Sequence, residues 1–133
     1  MHGKVVFDAF AILSLIEQGR NSAKVAGMIA SNKVQIYLSI LNLGEIYYIL
    51  LRRFGIKEAE KIVEYVFLED KIEIVPVDWE KVREAALIKS RGGLSYADSF
   101  ALALAVELKA PLVTGDEEFR DPAAKLGVEV IWL

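Results

Sequence analysis

The sequence predicts an α/β fold in which a central, mainly parallel five-stranded sheet is flanked by helices. Five short stretches rich in β-branched residues alternate with longer amphipathic or apolar stretches, the pattern of strands joined by helical crossovers. The short stretches also lack clean apolar–polar alternation, as expected when helices cover both faces of a parallel sheet. The 133 residues contain no repeat, linker or low-complexity segment, so we expect one domain over residues 1–133.

The first half of the chain begins with a strand that ends at an acidic residue. Residues 4–7 read as a short buried strand ending at Asp8, and an apolar helix over 9–18 follows until Gly19. The other elements of this half are a helix over 21–30, a strand over 34–38, a helix over about 40–53 capped by Ser39 and ended near Gly55, and an amphipathic helix over 57–69 with Ile62, Val63, Val66 and Phe67 on one side.

The second half supplies the remaining strands and a strongly apolar helix. It contains a strand over 72–77, a helix over 79–90 capped by Asp78, a break at Gly92-Gly93, a helix from Ser95 to about 109, and strands over 112–114 and 128–132. The helix after Ser95 is apolar nearly all round through Val106, which predicts a central, buried helix.

Composition limits the chemistry that this chain can support. It has no cysteine, which excludes disulfides and thiolate metal sites, and its net charge of −3 argues against binding nucleic acid by bulk positive charge. No apolar run approaches the ~20 residues of a membrane span, and the start of the chain lacks a signal-peptide cleavage site. We therefore expect a cytoplasmic protein without membrane association, and we assign no role to the sole histidine, His2.

Two carboxylates follow predicted strands directly. Asp8 comes after Val-Val-Phe, and Asp116 comes after Leu-Val-Thr-Gly, so both should lie at the carboxyl edge of the sheet, where open α/β folds bind ligands. Structural alternatives remain open for each residue. Asp8 could simply cap the following helix, and Asp116 could belong to a turn before Glu117-Glu118-Phe119.

Two further carboxylates lie on apolar helices. Glu45 is the only charged residue between Ser39 and Leu51, and a carboxylate is rarely buried without a partner. Its alternative is an exposed stripe that also contains Asn42 and Arg52. Asp98 lies in Ser-x-x-Asp at the start of the apolar helix, where it could either form a capping box or point into the crevice at the strand ends.

If these four carboxylates converge, their mutual repulsion favours a bound cation. Clustered carboxylates raise one another's pKa values unless a cation joins them. Hard oxygen ligands without histidine or cysteine suit Mg²⁺ or Mn²⁺ rather than Zn²⁺. We therefore predict a metal site at Asp8, Glu45, Asp98 and Asp116.

The four acidic segments, taken in order, resemble the motifs of a known family. They read Val-Val-Phe-Asp8, Leu-Asn-Leu-Gly-Glu45, Ser-Tyr-Ala-Asp98-Ser-Phe-Ala-Leu-Ala and Leu-Val-Thr114-Gly-Asp116-Glu-Glu-Phe. Their order, spacing and predicted secondary structure are similar to those of PIN domains, over essentially the whole chain. The short, stand-alone form looks like the VapC toxins of toxin–antitoxin pairs.

The resemblance implies an Mg²⁺- or Mn²⁺-dependent endoribonuclease whose metal site activates water against an RNA phosphate. It assigns the four acids to the metal site and to catalysis, and Thr114 to a hydroxyl position that supports the site. It also implies a homodimer and a VapB-like antitoxin that covers the acidic groove. The chain departs from the family pattern at Phe10, where a small or hydroxyl residue is common, and at Asn42, where Ser or Thr often stands.

One cationic residue and two competing functions complete the predictions. Arg91 is the best candidate for binding RNA, because Gly92-Gly93 would let its loop approach the substrate. One alternative is a non-catalytic PIN-fold module that binds RNA or protein. The other is a phosphotransfer-type α/β domain, which the sequence disfavours because it has neither a second acid at position 10 nor a Gly-Lys-Ser/Thr phosphate loop.

Overall fold

Five parallel strands form the centre of the molecule. The computed structural model describes residues 3–133, so the expectation for His2 lies outside the described residues. The strand order is β3-β2-β1-β4-β5, and every pairing within this sheet is parallel. The strands are β1 (Gly3–Phe7), β2 (Val34–Ser39), β3 (Ile72–Val75), β4 (Leu112–Thr114) and β5 (Val130–Trp132). The predicted α/β fold with a five-stranded sheet is confirmed.

Helices connect the strands and bury both faces of the sheet in two apolar clusters. They are α1 (Ala9–Leu13), α2 (Arg20–Ala30), α3 (Ile40–Phe54), α4 (Ile56–Leu68), α5 (Trp79–Ser90), α6 (Tyr96–Leu108) and α7 (Arg120–Lys125), with a 3₁₀ turn at Glu117–Phe119 before α7. The predicted burial of α6 is confirmed, because Phe100, Leu102 and Leu104 are core residues and the helix packs against β1, β2 and β4. Within residues 3–133, no helix combines the length and apolarity that crossing a membrane requires.

The register of the strands brings three chain segments to one edge of the sheet. Phe7 pairs with Leu38 on one side and with Val113 on the other, so β1, β2 and β4 end side by side. The next residues along these strands, Asp8 and Thr114, therefore emerge at the same carboxyl edge, where α3 also begins. This edge carries the candidate site.

Several boundaries differ from the sequence predictions for local reasons. Helix α1 ends at Leu13 rather than near residue 18, because the Ser14 hydroxyl donates to the Ala11 carbonyl oxygen (2.6 Å) and the chain continues in i→i+3 turns. Strand β3 ends at Val75, directly before Pro76, which has no N–H to donate. Strand β5 begins at Val130 rather than at residue 128.

The amphipathic face predicted for α4 was partly wrong. Val66 is buried, and Ile62 and Val63 pack partly buried against the core, but Phe67 is 56% exposed on the outer side of the helix. Phe67 follows a buried residue directly, and neighbouring helix positions differ by about 100° around the axis. Helix α4 consequently presents exposed apolar side chains in addition to its packed face.

Candidate active site

Asp8 is the most deeply buried carboxylate at the carboxyl edge, with 1% of its surface exposed. Its Oδ1 accepts a hydrogen bond from the Ala11 N–H at 3.0 Å, so it does cap α1, and its Oδ2 accepts one from the Thr114 hydroxyl. Burial raises the pKa of Asp8 to about 7, the two hydrogen bonds oppose this effect, and the charges of Asp98 and Asp116 add to it. Asp8 therefore caps α1, and this structural role does not exclude the predicted role in the site, which stays a prediction.

Thr114 joins Asp8 to the loop that carries Asp116. Its side chain is fully buried at the end of β4, and its Oγ1 donates to Asp8 while accepting the Asp116 N–H at 3.0 Å. One hydroxyl therefore fixes the position of a carboxylate after β1 relative to the backbone after β4.

Asp98 lies in the first turn of α6, as the capping-box pattern predicts. Its N–H donates to the Ser95 Oγ at 3.1 Å. Burial raises the pKa of Asp98 to about 6. The charge of Glu45 is the next contribution, and the charges of Asp116 and Glu118 add further to the rise, while a hydrogen bond with Ser95 opposes it. Asp98 thus belongs both to the turn that Ser95 caps and to an acidic cluster.

Glu45 lies in the second turn of α3 and is partly buried. Its Oε1 is shielded from solvent and has no hydrogen-bond partner, an unfavourable state for a carboxylate. Burial raises the pKa of Glu45, the neighbouring Asn42 amide opposes this shift, and the charge of Asp116 adds to it. The alternative of an exposed stripe is wrong for Asn42, which is fully buried.

Asn42 connects the two helices that carry these acids. Its Nδ2 donates to the Ala97 carbonyl oxygen at 3.0 Å, next to Asp98 on α6, while its own Oδ1 is buried without a partner. Position 42 is one of the two departures from the family pattern, which often has serine or threonine there. Because those side chains are shorter than asparagine, the contact with α6 depends on the Asn42 amide.

Glu118 is a member of the cluster that the sequence reasoning missed. Asp98, Asp116 and Glu118 each offer a carboxylate oxygen, and these three oxygens lie within 4.8 Å of one another, close enough to share a metal ion. The 3₁₀ turn positions Glu118, because its N–H donates to the Asp116 Oδ1 at 2.9 Å. The available signal was the second glutamate of Asp116-Glu-Glu-Phe, two residues after a predicted site residue.

Of the four predicted carboxylates, the structure brings Asp98 and Asp116 together with Glu118, whereas Asp8 and Glu45 belong to no equally close group among residues 3–133. Asp8 and Glu45 interact with the others through charge: Asp98 and Asp116 raise the pKa of Asp8, Glu45 raises that of Asp98, and Asp116 raises that of Glu45. Each of these interactions is a repulsion between like charges, which disfavours ionisation of the cluster. A divalent cation is the ligand that reverses this penalty, and the all-oxygen donor set fits Mg²⁺ or Mn²⁺.

Arg91 lies at the carboxyl end of α5 with an exposed side chain. The loop from Gly92 to Ser95 leads from it to α6 and Asp98. Arg91 also lines a groove of about 660 Å³ between α5 and α6, together with Trp79, Leu87 and Leu104. Its role in binding RNA stays a prediction.

Comparison with models of known protein families assigns most of this chain to one family. The family model of the PIN domain matches residues 5–125, a span that contains every acidic residue described above. The chain therefore belongs to the PIN-domain family. The predicted resemblance is confirmed, and membership in this family leaves the phosphotransfer-type alternative without support. A comparison with curated proteins finds no match.

Solved structures with the same fold include toxins and toxin–antitoxin complexes. VapC20 of Mycobacterium tuberculosis, described as a sarcin-ricin loop cleaving toxin, is 18% identical with a TM-score of 0.73, over 91% of this chain and 94% of that chain. VapBC2 of Rickettsia felis, bound to a DNA fragment from its promoter, is 14% identical with a TM-score of 0.72, over 96% of this chain and 97% of that chain. DNA-bound VapBC of Salmonella typhimurium is 16% identical with a TM-score of 0.72, over 97% of each chain. At these identities, the likeness establishes a common fold.

Proposed function

We propose that this PIN domain is a metal-dependent endoribonuclease and the toxin component of a VapBC-type pair. The observation that supports the proposal is the group formed by Asp98, Asp116 and Glu118, whose carboxylate oxygens lie within 4.8 Å of one another. Their like charges repel, the charges of Asp98 and Asp116 also act on the buried Asp8, and the shielded Oε1 of Glu45 has no hydrogen-bond partner. A site of this kind is expected to acquire its missing positive charge from a ligand.

The residues proposed to hold Mg²⁺ or Mn²⁺ are Asp8, Glu45, Asp98 and Asp116, with Glu118 added from the geometry. When bound, such an ion supplies an activated water and stabilises negative charge on a phosphate. Asp8 and Thr114 hold the inner end of the site in place through their mutual hydrogen bond. The less buried carboxylates of Asp98, Asp116 and Glu118 can accept protons from a water and orient it toward the substrate.

Single-stranded or loop RNA is the proposed substrate. Unpaired backbone can enter a crevice at the edge of a sheet more readily than a duplex, and its bases remain available for recognition. The structural neighbour VapC20 is described as a sarcin-ricin loop cleaving toxin, which supports this substrate class by analogy of fold. Arg91 is proposed to contact the phosphate backbone next to the acidic cluster.

We also propose two protein partners, a second copy of the chain and a VapB-like antitoxin. One structure with this fold, from Klebsiella pneumoniae, is described as a toxin–antitoxin complex, and others are VapBC assemblies bound to DNA. Helix α4 exposes Ile56, Tyr65, Phe67 and Leu68, each by 48% or more, which is apolar surface available for self-association. Light scattering at micromolar concentration tests the dimer, and a strictly monomeric mass would refute self-association without affecting the nuclease proposal.

The experiment that tests the activity combines metal dependence with substitution of the acids. Purified protein is expected to cut single-stranded RNA with Mg²⁺ or Mn²⁺, to stop when EDTA is added, and to lose most activity in Asp8→Asn and Asp98→Asn. The two losses should not add in the double variant, because the residues act as one unit. Cleavage that persists in EDTA, or that survives both substitutions, would refute the proposal.

A further inference from the structure

Phe10 is a partly exposed aromatic side chain beside the loop that carries Asp116. It is the second residue of α1, two positions after Asp8, and 40% of its surface is exposed. Its ring lies against Gly115, the residue between Thr114 and Asp116. A Cβ atom on Gly115 would fall inside contact distance of the ring carbons Cε1 and Cζ. The ring therefore rests directly on the backbone that presents Asp116.

This contact explains why position 115 is glycine. Its backbone does not adopt a positive φ, so the conformation itself does not require glycine. What requires the missing side chain is the close approach of the Phe10 ring. The sequence thus combines a bulky aromatic side chain at position 10 with the absence of a side chain at position 115. As a result, the ring packs against the loop that carries Asp116.

A second exposed aromatic close in sequence to a candidate site acid is held differently. Tyr96 lies two residues before Asp98 and is 45% exposed, but its ring packs edge-on against Phe100 with the centroids 5.0 Å apart. Phe10 is instead packed against the backbone of Gly115 and keeps 40% of its surface exposed. A ring held in this way loses little conformational freedom when a flat partner stacks on it.

We propose that Phe10 is a stacking platform for one base of a single-stranded RNA beside the scissile phosphate, and that it thereby determines how the substrate is positioned. This inference rests on the proposed function, since it names the contact that the same site makes with RNA. Stacking suits the local charge, because a base carries no net charge and is not repelled by the carboxylates. It also suits an acidic protein with a net charge of −3, for which stacking supplies affinity that general phosphate attraction does not.

Binding of RNA to a set of three variants tests the proposal. Phe10→Leu keeps an apolar side chain on Gly115 but removes the aromatic face, Phe10→Trp keeps that face, and Phe54→Leu is the matched control. Phe54 is also an exposed phenylalanine, at 48%, but it lies at the opposite end of α3 from Ser39, about 13 Å beyond Glu45 along the helix axis. Fluorescence anisotropy with a labelled, mixed-sequence single-stranded RNA is measured in the Glu45→Gln background, in which cleavage is expected to be lost.

We expect Phe10→Leu to weaken binding by roughly tenfold, Phe10→Trp to restore it, and Phe54→Leu to leave it unchanged. RNAs carrying a single abasic site distinguish stacking from a purely structural role of Phe10, because only stacking makes the affinity depend on the missing base. One abasic position should weaken binding to the protein that retains Phe10 and should have no further effect on binding to the Phe10→Leu variant. Stabilisation by Mn²⁺ should be the same in Phe10→Leu as in the wild type.

Two results would overturn this inference while leaving the nuclease proposal intact. One is equal RNA affinity with Phe10 and with Phe10→Leu in the Glu45→Gln background, while the protein that retains Glu45 binds metal and cleaves RNA. The other is a loss of affinity that is the same for intact and abasic RNA at every position, which would make the ring a support for the Asp116 loop. If the wild type shows neither stabilisation by metal nor binding of RNA, the proposed function falls and this inference falls with it.

Discussion

The buried carboxyl group of Asp8 should make the metal-free protein less stable as the pH rises. Its folded-state pKa is about 7 against an ordinary value of 3.8, mainly because of burial. Between these two values the folded state binds more protons than the unfolded state, so the free energy of unfolding falls as the pH increases. The contribution is complete below about pH 4 and is lost as the pH rises through about 7.

The size of this effect follows from the same two pKa values. At about 1.4 kcal/mol for each pH unit, the interval from 3.8 to about 7 corresponds to an upper limit of about 4 kcal/mol. Asp8→Asn removes the ionisable group but keeps an N-cap oxygen for the Ala11 N–H. In EDTA, the variant should therefore match the wild type near pH 4 and exceed its stability near pH 8.

Urea unfolding of both proteins at pH 4 and pH 8 in EDTA measures this difference. Asp78→Asn is the matched control, because Asp78 caps α5 with a bond to the Lys81 N–H at 3.0 Å but is exposed and lies outside the acidic cluster. If Asp8→Asn is no more stable than the wild type at pH 8, or if Asp78→Asn gives the same gain, the argument from burial is refuted.

Three further substitutions test how the site is built. Gly115→Ala should destabilise the protein by about 1–3 kcal/mol in thermal unfolding, because its methyl group would overlap the aromatic ring packed there, and unchanged stability would contradict that packing. Glu118→Gln should weaken Mn²⁺ binding roughly tenfold in titration calorimetry. Glu117→Gln should leave Mn²⁺ binding unchanged, because the Glu117 carboxylate pairs with an arginine instead. Equal effects of the two substitutions would remove Glu118 from the site. Thr114→Val should lower the free energy of unfolding in urea by about 1–3 kcal/mol, because a buried oxygen of Asp8 and the Asp116 N–H would both lose their hydrogen-bond partner. An unchanged free energy of unfolding would mean that this hydroxyl is dispensable.

Asp8 and Glu45 could be singled out from the sequence because each occupies a position that conflicts with its apolar surroundings. Asp8 directly follows three apolar strand residues, and Glu45 is isolated within an apolar helix, so burial and convergence could be argued from polarity alone. The parallel arrangement of strands then places residues that follow β1 and β4 at one edge. The same logic predicted the fold, since five strand patterns alternate with helical ones.

What the sequence could not supply depends on contacts between distant segments or on local competition. Glu118 joins the cluster only through the 3₁₀ turn after Asp116, and Asp-Glu-Glu is also an ordinary exposed turn. The support of Phe10 by Gly115 joins residues more than a hundred positions apart, and neither residue alone indicates it. Helix α1 stops early because the buried Ser14 hydroxyl competes for a carbonyl oxygen, which periodicity does not register.

The central claim is that the acidic cluster at the sheet edge is a metal-dependent ribonuclease site. Its most direct test is the rate of cleavage of total cellular RNA as Mn²⁺ is titrated, comparing the wild type with Glu45→Gln and with Glu73→Gln, an exposed glutamate on β3. We expect Mn²⁺-dependent cleavage by the wild type and by Glu73→Gln, and loss of most cleavage in Glu45→Gln. Equal cleavage by the wild type and Glu45→Gln, or cleavage that does not depend on Mn²⁺, would contradict the account.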